Sequence, residues 1–263
     1  MQIIEKVSEF NGRFSRWQAN EQLKSYPFVQ NVHAPFTPLK RALPMLNLGL
    51  ISLAGGYIDG TEPFDLESKD GDLSYREIPI EVEASAIKYA AKGYDPAAVQ
   101  QDRNAQIPVD RLIEYRASAV IGDLNAVWWS VSSHIPNAAR VAEELGRDIA
   151  ERLHRYDVKV ALFIPASRLC HQTLGIVARA VEASGIPTMM ISVSPRYTDL
   201  VRPPRTAYYN GKLGSVAGEP NFPEYQLRIL DESIRWTETF DQPGSRKLGV
   251  DLETQVEAAR GER

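Results

Sequence analysis

The 263-residue sequence contains a single cysteine, Cys170, and only four histidines. One thiol cannot close an intramolecular disulfide, so nothing marks the chain for an oxidising compartment. A cysteine-ligated metal site would need further thiols, and His33, His134, His154 and His171 are scattered without ligand spacing. The stretch from Met1 to Lys24 is charged throughout, with no apolar run long enough for a signal peptide or a membrane span. A basic excess is also missing: the net charge of -4 provides no field for nucleic acid or anionic lipid. The chain is therefore expected to be cytoplasmic, with neither nucleic acid nor membrane among its partners. It has no G-x-x-x-x-G-K-[ST], no G-x-G-x-x-G and no G-x-S-x-G. Nucleotide binding and the common serine-hydrolase elbow thus have no support, and no cofactor is expected.

What is present is an ordinary globular composition, 43% hydrophobic and 24% charged, long enough for a well-buried core. Ile4, Val7, Phe10, Phe14 and Trp17 recur at helical spacing and predict a helical N-terminal arm over residues 1–40. That arm either packs on the body or meets a partner subunit; its aromatic stripe, read as exposed, makes a homo-oligomer the expectation. An α/β domain is expected over 41–241. It begins with an apolar run over 46–53 that stops at Gly55-Gly56, as a buried strand entering a tight loop does. Residues 59–110 are polar and rich in turn formers, and read as a functional insertion.

Regular alternation follows. Residues 118–122 read as a short apolar strand. Asn137 is a good N-cap for a helix reaching about Tyr156, with Val141, Leu145, Ile149 and Leu153 as its buried stripe. Residues 159–165 are the clearest strand. A helix over 170–184 buries Leu174, Val177 and Val181 and stops at Gly185. A strand over 187–193 and a helix over 224–240 complete the pattern, and residues 242–263 form a polar, loose tail. Strands and helices alternating with short connections imply a parallel sheet with helices on both faces, a flavodoxin-like or related open α/β fold.

Open parallel sheets bind ligands beyond the carboxyl ends of their strands. The stretch Ser167-Arg168-Leu169-Cys170-His171-Gln172-Thr173 lies at such an end and opens a helix. A thiol there meets the positive end of the helix dipole, which lowers its pKa, and Arg168 and His171 push the same way if they face it. Ser167, Gln172 and Thr173 add donors suited to a carboxylate or oxyanion. A lone cysteine is equally a small apolar packing residue. Gly55-Gly56 brings a second loop to the same sheet edge, or simply turns the chain. Arg205, in the stretch Arg202-Pro203-Pro204-Arg205, could clamp a carboxylate or remain solvated.

The residues Phe163-Ile164-Pro165, Cys170-His171-Gln172-Thr173-Leu174-Gly175, Ala178-Arg179, Glu182-Ala183 and Gly185-Ile186-Pro187-Thr188 together form a recognisable series. Pro203-Pro204-Arg205, Leu213-Gly214 and Gly218-Glu219-Pro220 continue it downstream. Upstream it includes Tyr75-Arg76-Glu77-Ile78-Pro79, Tyr94-Asp95, Asp102-Arg103-Asn104, Pro108-Val109-Asp110-Arg111-Leu112 and Ile121-Gly122-Asp123-Leu124. Across residues 48–229 the series resembles component B (selenoprotein B) of glycine, sarcosine and betaine reductases, and the related subunit of D-proline reductase. In those proteins a selenocysteine, or a cysteine in its place, stands three residues before the cysteine matching Cys170. The resemblance implies attack of that group on the carbon bearing an amine, C–N cleavage, and resolution by the second thiol. This chain carries Ser167 at the selenocysteine position.

Three functions are expected in order. The first is an oxidoreductase-family enzyme acting on a small carboxylate or amine-bearing substrate, with Cys170 as its only thiol and an external thiol or redox partner protein resolving the adduct. The second is a cofactor-free isomerase or lyase in which a carboxylate such as Asp123 or Glu77 serves the other substrate face. The third is a non-catalytic binding subunit. Candidate catalytic residues are Ser167, Cys170 and His171. Candidate substrate-binding residues are Gly55, Gly56, Arg76, Glu77, Asp123, Gln172, Thr173 and Arg205, and no metal ligands are expected.

Overall fold

A computed structural model describes residues 2–19 and 22–250. Its strands are β1 (Asn47–Ser52), β2 (Gly56–Ile58), β3 (Tyr75–Pro79), β4 (Ile87–Tyr89), β5 (Asp123–Leu124), β6 (Val127–Val131), β7 (Val160–Ile164), β8 (Thr188–Ser192), β9 (Arg205–Tyr208) and β10 (Gly244–Lys247). The helices are α1 (Val7–Trp17), α2 (Ala97–Gln101), α3 (Val109–Ala117), α4 (Ala138–Arg140), α5 (Gly146–Arg155), α6 (Arg168–Ala183), α7 (Pro195–Val201) and α8 (Pro223–Thr239). One π-helical stretch, Val141–Leu145, joins α4 to α5 without a break.

The main sheet runs β10-β9-β8-β7-β1-β6-β3, with β5 beside β1. Every pairing in it is parallel except that of β3 with β6. Taken in chain order, β1, β6, β7, β8 and β9 lie as 2-1-3-4-5, so the winding reverses between β1 and β7. That order belongs to doubly wound open sheets, in which the reversal opens a crevice at the carboxyl ends.

Alternation along the strands builds two cores. Ile51, Leu53, Trp129, Val131, Ala161 and Phe163 face α1, α5 and α6, whereas Leu48, Leu50, Trp128, Leu162 and Ile164 face α3 and α8. Helices therefore cover both faces, as the alternating sequence pattern implies.

The structure revises four parts of the sequence reading. Residues 118–122 are turn, not strand; Ala119 has a φ of 56°, and the strand at this point is β6, whose two tryptophans face opposite cores. Residues 59–110 contain β3, β4 and α2, and β3 closes one edge of the sheet. The tail prediction over 242–263 omits β10, which pairs in parallel with β9; residues 251–263 lie outside the described residues. Fourth, the arm's stripe is not exposed: Phe10, Phe14 and Trp17 are 1%, 4% and 9% accessible and join the α6-side core. Their apolar surface is used within the chain, which removes that argument for a homo-oligomer.

Polar anchors explain why the arm lies flat. Gln172 accepts from Val29 N–H at 2.8 Å and donates to the Tyr26 hydroxyl at 2.6 Å, and Tyr26 donates to the Pro136 carbonyl at 2.6 Å. The buried Arg179 guanidinium donates to the carbonyls of Gln2, Ile3, His33 and Arg202. Helix α6 is thus gripped by the N-terminal segment along its outer side.

Candidate active site

Strand β7 ends in Pro165-Ala166-Ser167, and Ser167 caps α6 with its backbone extended and its Oγ accepting from Cys170 N–H at 3.1 Å. Serine suits this place because its oxygen satisfies an N–H that the first helical turn leaves open. The cap turns Cys170 back over the sheet. The Ser167 hydroxyl lies 3.0 Å from the Cys170 sulfur, which donates toward Ser133 O at 3.2 Å and Leu53 O at 3.6 Å. Those carbonyls follow β6 and β1. The ends of β1, β6 and β7 therefore meet at one sulfur, beside the winding reversal.

Cys170 is 1% accessible and Ser167 2%. The sequence suggested a thiol with a lowered pKa; here burial pushes it up, and hydrogen bonds from Ser167 and the turn's backbone oppose that rise without reversing it. Carbonyl acceptors around the sulfur favour S–H as well. Arg168 is exposed and lends little charge. His171 cannot lend any: burial lowers its pKa to about 4. Its Nδ1 lies 2.6 Å from Ser167 O and its Nε2 accepts from Val193 N–H at 3.3 Å, so the neutral Nδ1–H tautomer satisfies both nitrogens.

The other candidates divide by location. Gly55, at a φ of +65°, sits at this end; a Cβ there would lie 2.3 Å from Ala90 O. Gly56 begins β2 and packs against Trp128 and Ser130. Gln172 and Thr173 are on α6 but turned to the arm and to the carbonyls of Leu169 and Ile135. Arg76 and Glu77 are on edge strand β3. Arg76 stacks over Phe64, while Glu77 takes two bonds from Arg152, at 2.6 and 2.7 Å, and others from Tyr156 and Trp129. Those donors hold its carboxyl below the usual range.

Asp123 and Arg205 open β5 and β9, and so stand at the amino end of the sheet, opposite Cys170. Arg205 is fully buried, paired with Glu182 at 2.6 Å, bonded to Thr37 O and stacked on Phe36. A cavity of about 690 Å³ opens at that amino end, lined in part by Asp123, Lys40 and His154.

Sequence reasoning passed over residues that close the carboxyl end. Tyr94 donates to Ala54 O at 2.6 Å, and Lys92 N–H donates to Ser133 Oγ at 2.9 Å. Gly93 packs on Ser167, and Gly214 N–H donates to Ala166 O at 2.9 Å. His134 lies beside Lys92, and burial lowers its pKa to about 4. The available signal was the grouping of Tyr94-Asp95 and Leu213-Gly214 in one dispersed pattern. Among the described residues no His, Cys, Asp or Glu cluster could hold a metal ion, and no helix is long and apolar enough to cross a membrane.

Fold and site together define a doubly wound α/β protein with a hydroxyl–thiol turn at its topological switch point. A sequence model of the glycine/sarcosine/betaine reductase selenoprotein B family matches residues 48–165. The D-proline reductase subunit gamma of Acetoanaerobium sticklandii is 30% identical over 200 residues, covering 76% of this chain and 81% of that protein. The glycine reductase complex component B subunit gamma of Symbiobacterium thermophilum is 25% identical over 175 residues, 63% of this chain and 39% of that protein. Its Peptoclostridium litorale counterpart is 23% identical over 185 residues, and the chain spans 42% of it. The chain belongs to this reductase family. No solved structure is a significant match to it.

Proposed function

We propose that the chain is a reductase-family subunit that processes a small amine-bearing carboxylate at the 167–170 turn, using Cys170 as its thiol. The observation carrying this reading is the 3.0 Å contact between the Ser167 hydroxyl and the Cys170 sulfur at the switch point. The position is the one the family resemblance marks as reacting. Ser167 puts a hydroxyl where the resemblance places selenium or sulfur, so on this reading a single sulfur does the covalent work.

The chemistry that follows is balanced in three steps. Cys170 sulfur attacks the carbon bearing the amine; an S–C bond forms, the C–N bond breaks, and the amine leaves with the thiol's proton. A thiol from a partner or a small dithiol then attacks the Cys170 sulfur. The carbon departs with the electron pair, takes a proton, and leaves a mixed disulfide. The reductant's second thiol releases Cys170 and closes an external disulfide. Ser167 Oγ–H serves as hydrogen-bond donor to the sulfur as charge develops there.

A panel of small α-amino and N-methylated carboxylates, incubated with dithiothreitol and the wild-type chain or Cys170→Ala, tests the reading. Amine release that needs Cys170 supports it; equal release from both overturns it. A second reading, a non-catalytic binding subunit, is favoured by the buried thiol donating to carbonyls. It predicts saturable binding of the same compounds with no amine release.

A further inference from the structure

We propose that Tyr94, on the irregular segment of residues 90–95, gates access to the 167–170 turn. This inference rests on the assignment of that turn as the reacting site, and supplies what the closed structure leaves out, a route for substrate to the sulfur.

The segment joins β4 to α2 without regular structure. It is held to the sheet end by few bonds. At its start, Ala90 N–H donates to Gly55 O at 2.9 Å, and the Ser133 hydroxyl donates to Ala90 O at 2.7 Å. Lys92 N–H donates to Ser133 Oγ at 2.9 Å, and its ammonium reaches Leu66 O at 2.6 Å. Past these, Gly93 rests on Ser167 by contact alone, with a φ of +86°. Tyr94 supplies the final fastening, donating its hydroxyl to Ala54 O at 2.6 Å and packing its ring between the two cores beside Gly214.

Two features single out Tyr94. Its ring packs on the same core cluster that holds the Cys170 sulfur, near enough for the phenol to feel the charge of a thiolate. Its acceptor, Ala54 O, belongs to the loop after β1, next to Leu53 O, which faces the sulfur. Opening releases this hydroxyl bond together with the packing of the ring, while the anchors at Ala90 and Lys92 stay in place. Gly93 lets the chain lie flat because a Cβ would stand 3.3 Å from the Ser167 Cβ and 3.5 Å from its Oγ. The geometry is that of a short strap between β4 and α2, closed over Ser167 where Gly93 lies on it and where Tyr94 is held by its hydroxyl and its packed ring. Local openings of this kind cost less than global unfolding.

The test follows iodoacetamide alkylation of Cys170 in the full chain by peptide mass spectrometry, beside hydrogen exchange of β7 and α6 amides. In the wild type, alkylation proceeds through a local opening, with little dependence on low urea concentrations. Tyr94→Phe loses one hydrogen bond and raises the alkylation rate about fivefold, leaving β7 and α6 exchange unchanged. Gly93→Ala, which crowds Ser167, raises it as well. Alkylation that follows urea with the full unfolding slope, or is untouched by Tyr94→Phe, overturns the gate. That failure is separable from failure of the reacting-site reading, which turns on whether Cys170→Ala keeps amine release.

Discussion

Replacing Arg205 by methionine isolates the contribution of the buried pair at the amino end of the sheet. Glu182 receives Thr37 N–H at 2.6 Å, Thr188 N–H and Oγ–H at 2.7 Å each, and Arg205 at 2.6 Å, with both charged side chains fully buried. Methionine fills much of the volume under Phe36 but leaves the carboxylate with no counter-charge. Breaking such a pair from one side costs about 3–5 kcal/mol, which in a chain of this size lowers the melting temperature by on the order of 10 °C. A pH dependence comes with it. Burial pushes the Glu182 carboxyl up, and Arg205 pulls it down. Without Arg205 the folded-state pKa rises further above the unfolded value, so the folded form holds its proton more tightly. The variant's stability deficit therefore grows as pH rises through that window and shrinks in acid. Calorimetry of both proteins from pH 5 to pH 8 measures it. A variant that melts like the wild type at every pH yet loses ligand binding would refute the structural role and restore Arg205 as a substrate clamp.

Three further outcomes are expected. Gln172→Leu strands Val29 N–H and costs about 1–3 kcal/mol, with faster hydrogen exchange in residues 22–38 than elsewhere; uniform change would argue against the anchor. His171 has its pKa depressed to about 4, so the unfolded chain binds the extra proton and stability falls as pH drops from about 6.5 toward 4. The contribution is on the order of 3 kcal/mol, and His171→Gln should flatten the melting profile there, leaving the slope owed to His134. Gly55→Ala must relieve a 2.3 Å clash with Ala90 O at a positive φ, costing roughly 1–3 kcal/mol from the backbone alone. Its alkylation rate at Cys170 should rise, because the segment it displaces is the one covering the turn.

Legibility in the sequence followed burial. β1, β7 and β8 are apolar on both faces and bounded by glycine or proline, and α5, α6 and α8 show helical stripes, so each was read within a few residues. β6 escaped because the buried Ser130 breaks its short apolar run and because the turn over 118–122, itself apolar, reads as the strand in its place. β10, with its alternating half-buried and exposed residues, reads as a polar tail until β9 is present to pair with it. At the site, a helix opening at Cys170 was legible from local rules, although Ser167 is its cap and the helix starts two residues earlier, at Arg168. The thiol's direction of shift was not, since the dipole argument needs exposure and the chain covers the sulfur with a segment some 75 residues upstream. Arg205 was misplaced for a topological reason. A residue that opens a parallel strand stands at the end opposite residues that follow one, and composition carries no trace of that.

The most direct test of the reacting-site claim is the intact mass of the chain after incubation with the amine-bearing carboxylates, followed by peptide mapping and without reductant. The account predicts a covalent adduct on Cys170 that carries the substrate's carbon skeleton but not its nitrogen, and that dithiothreitol removes. An unmodified Cys170 under conditions where amine is nonetheless released would contradict it.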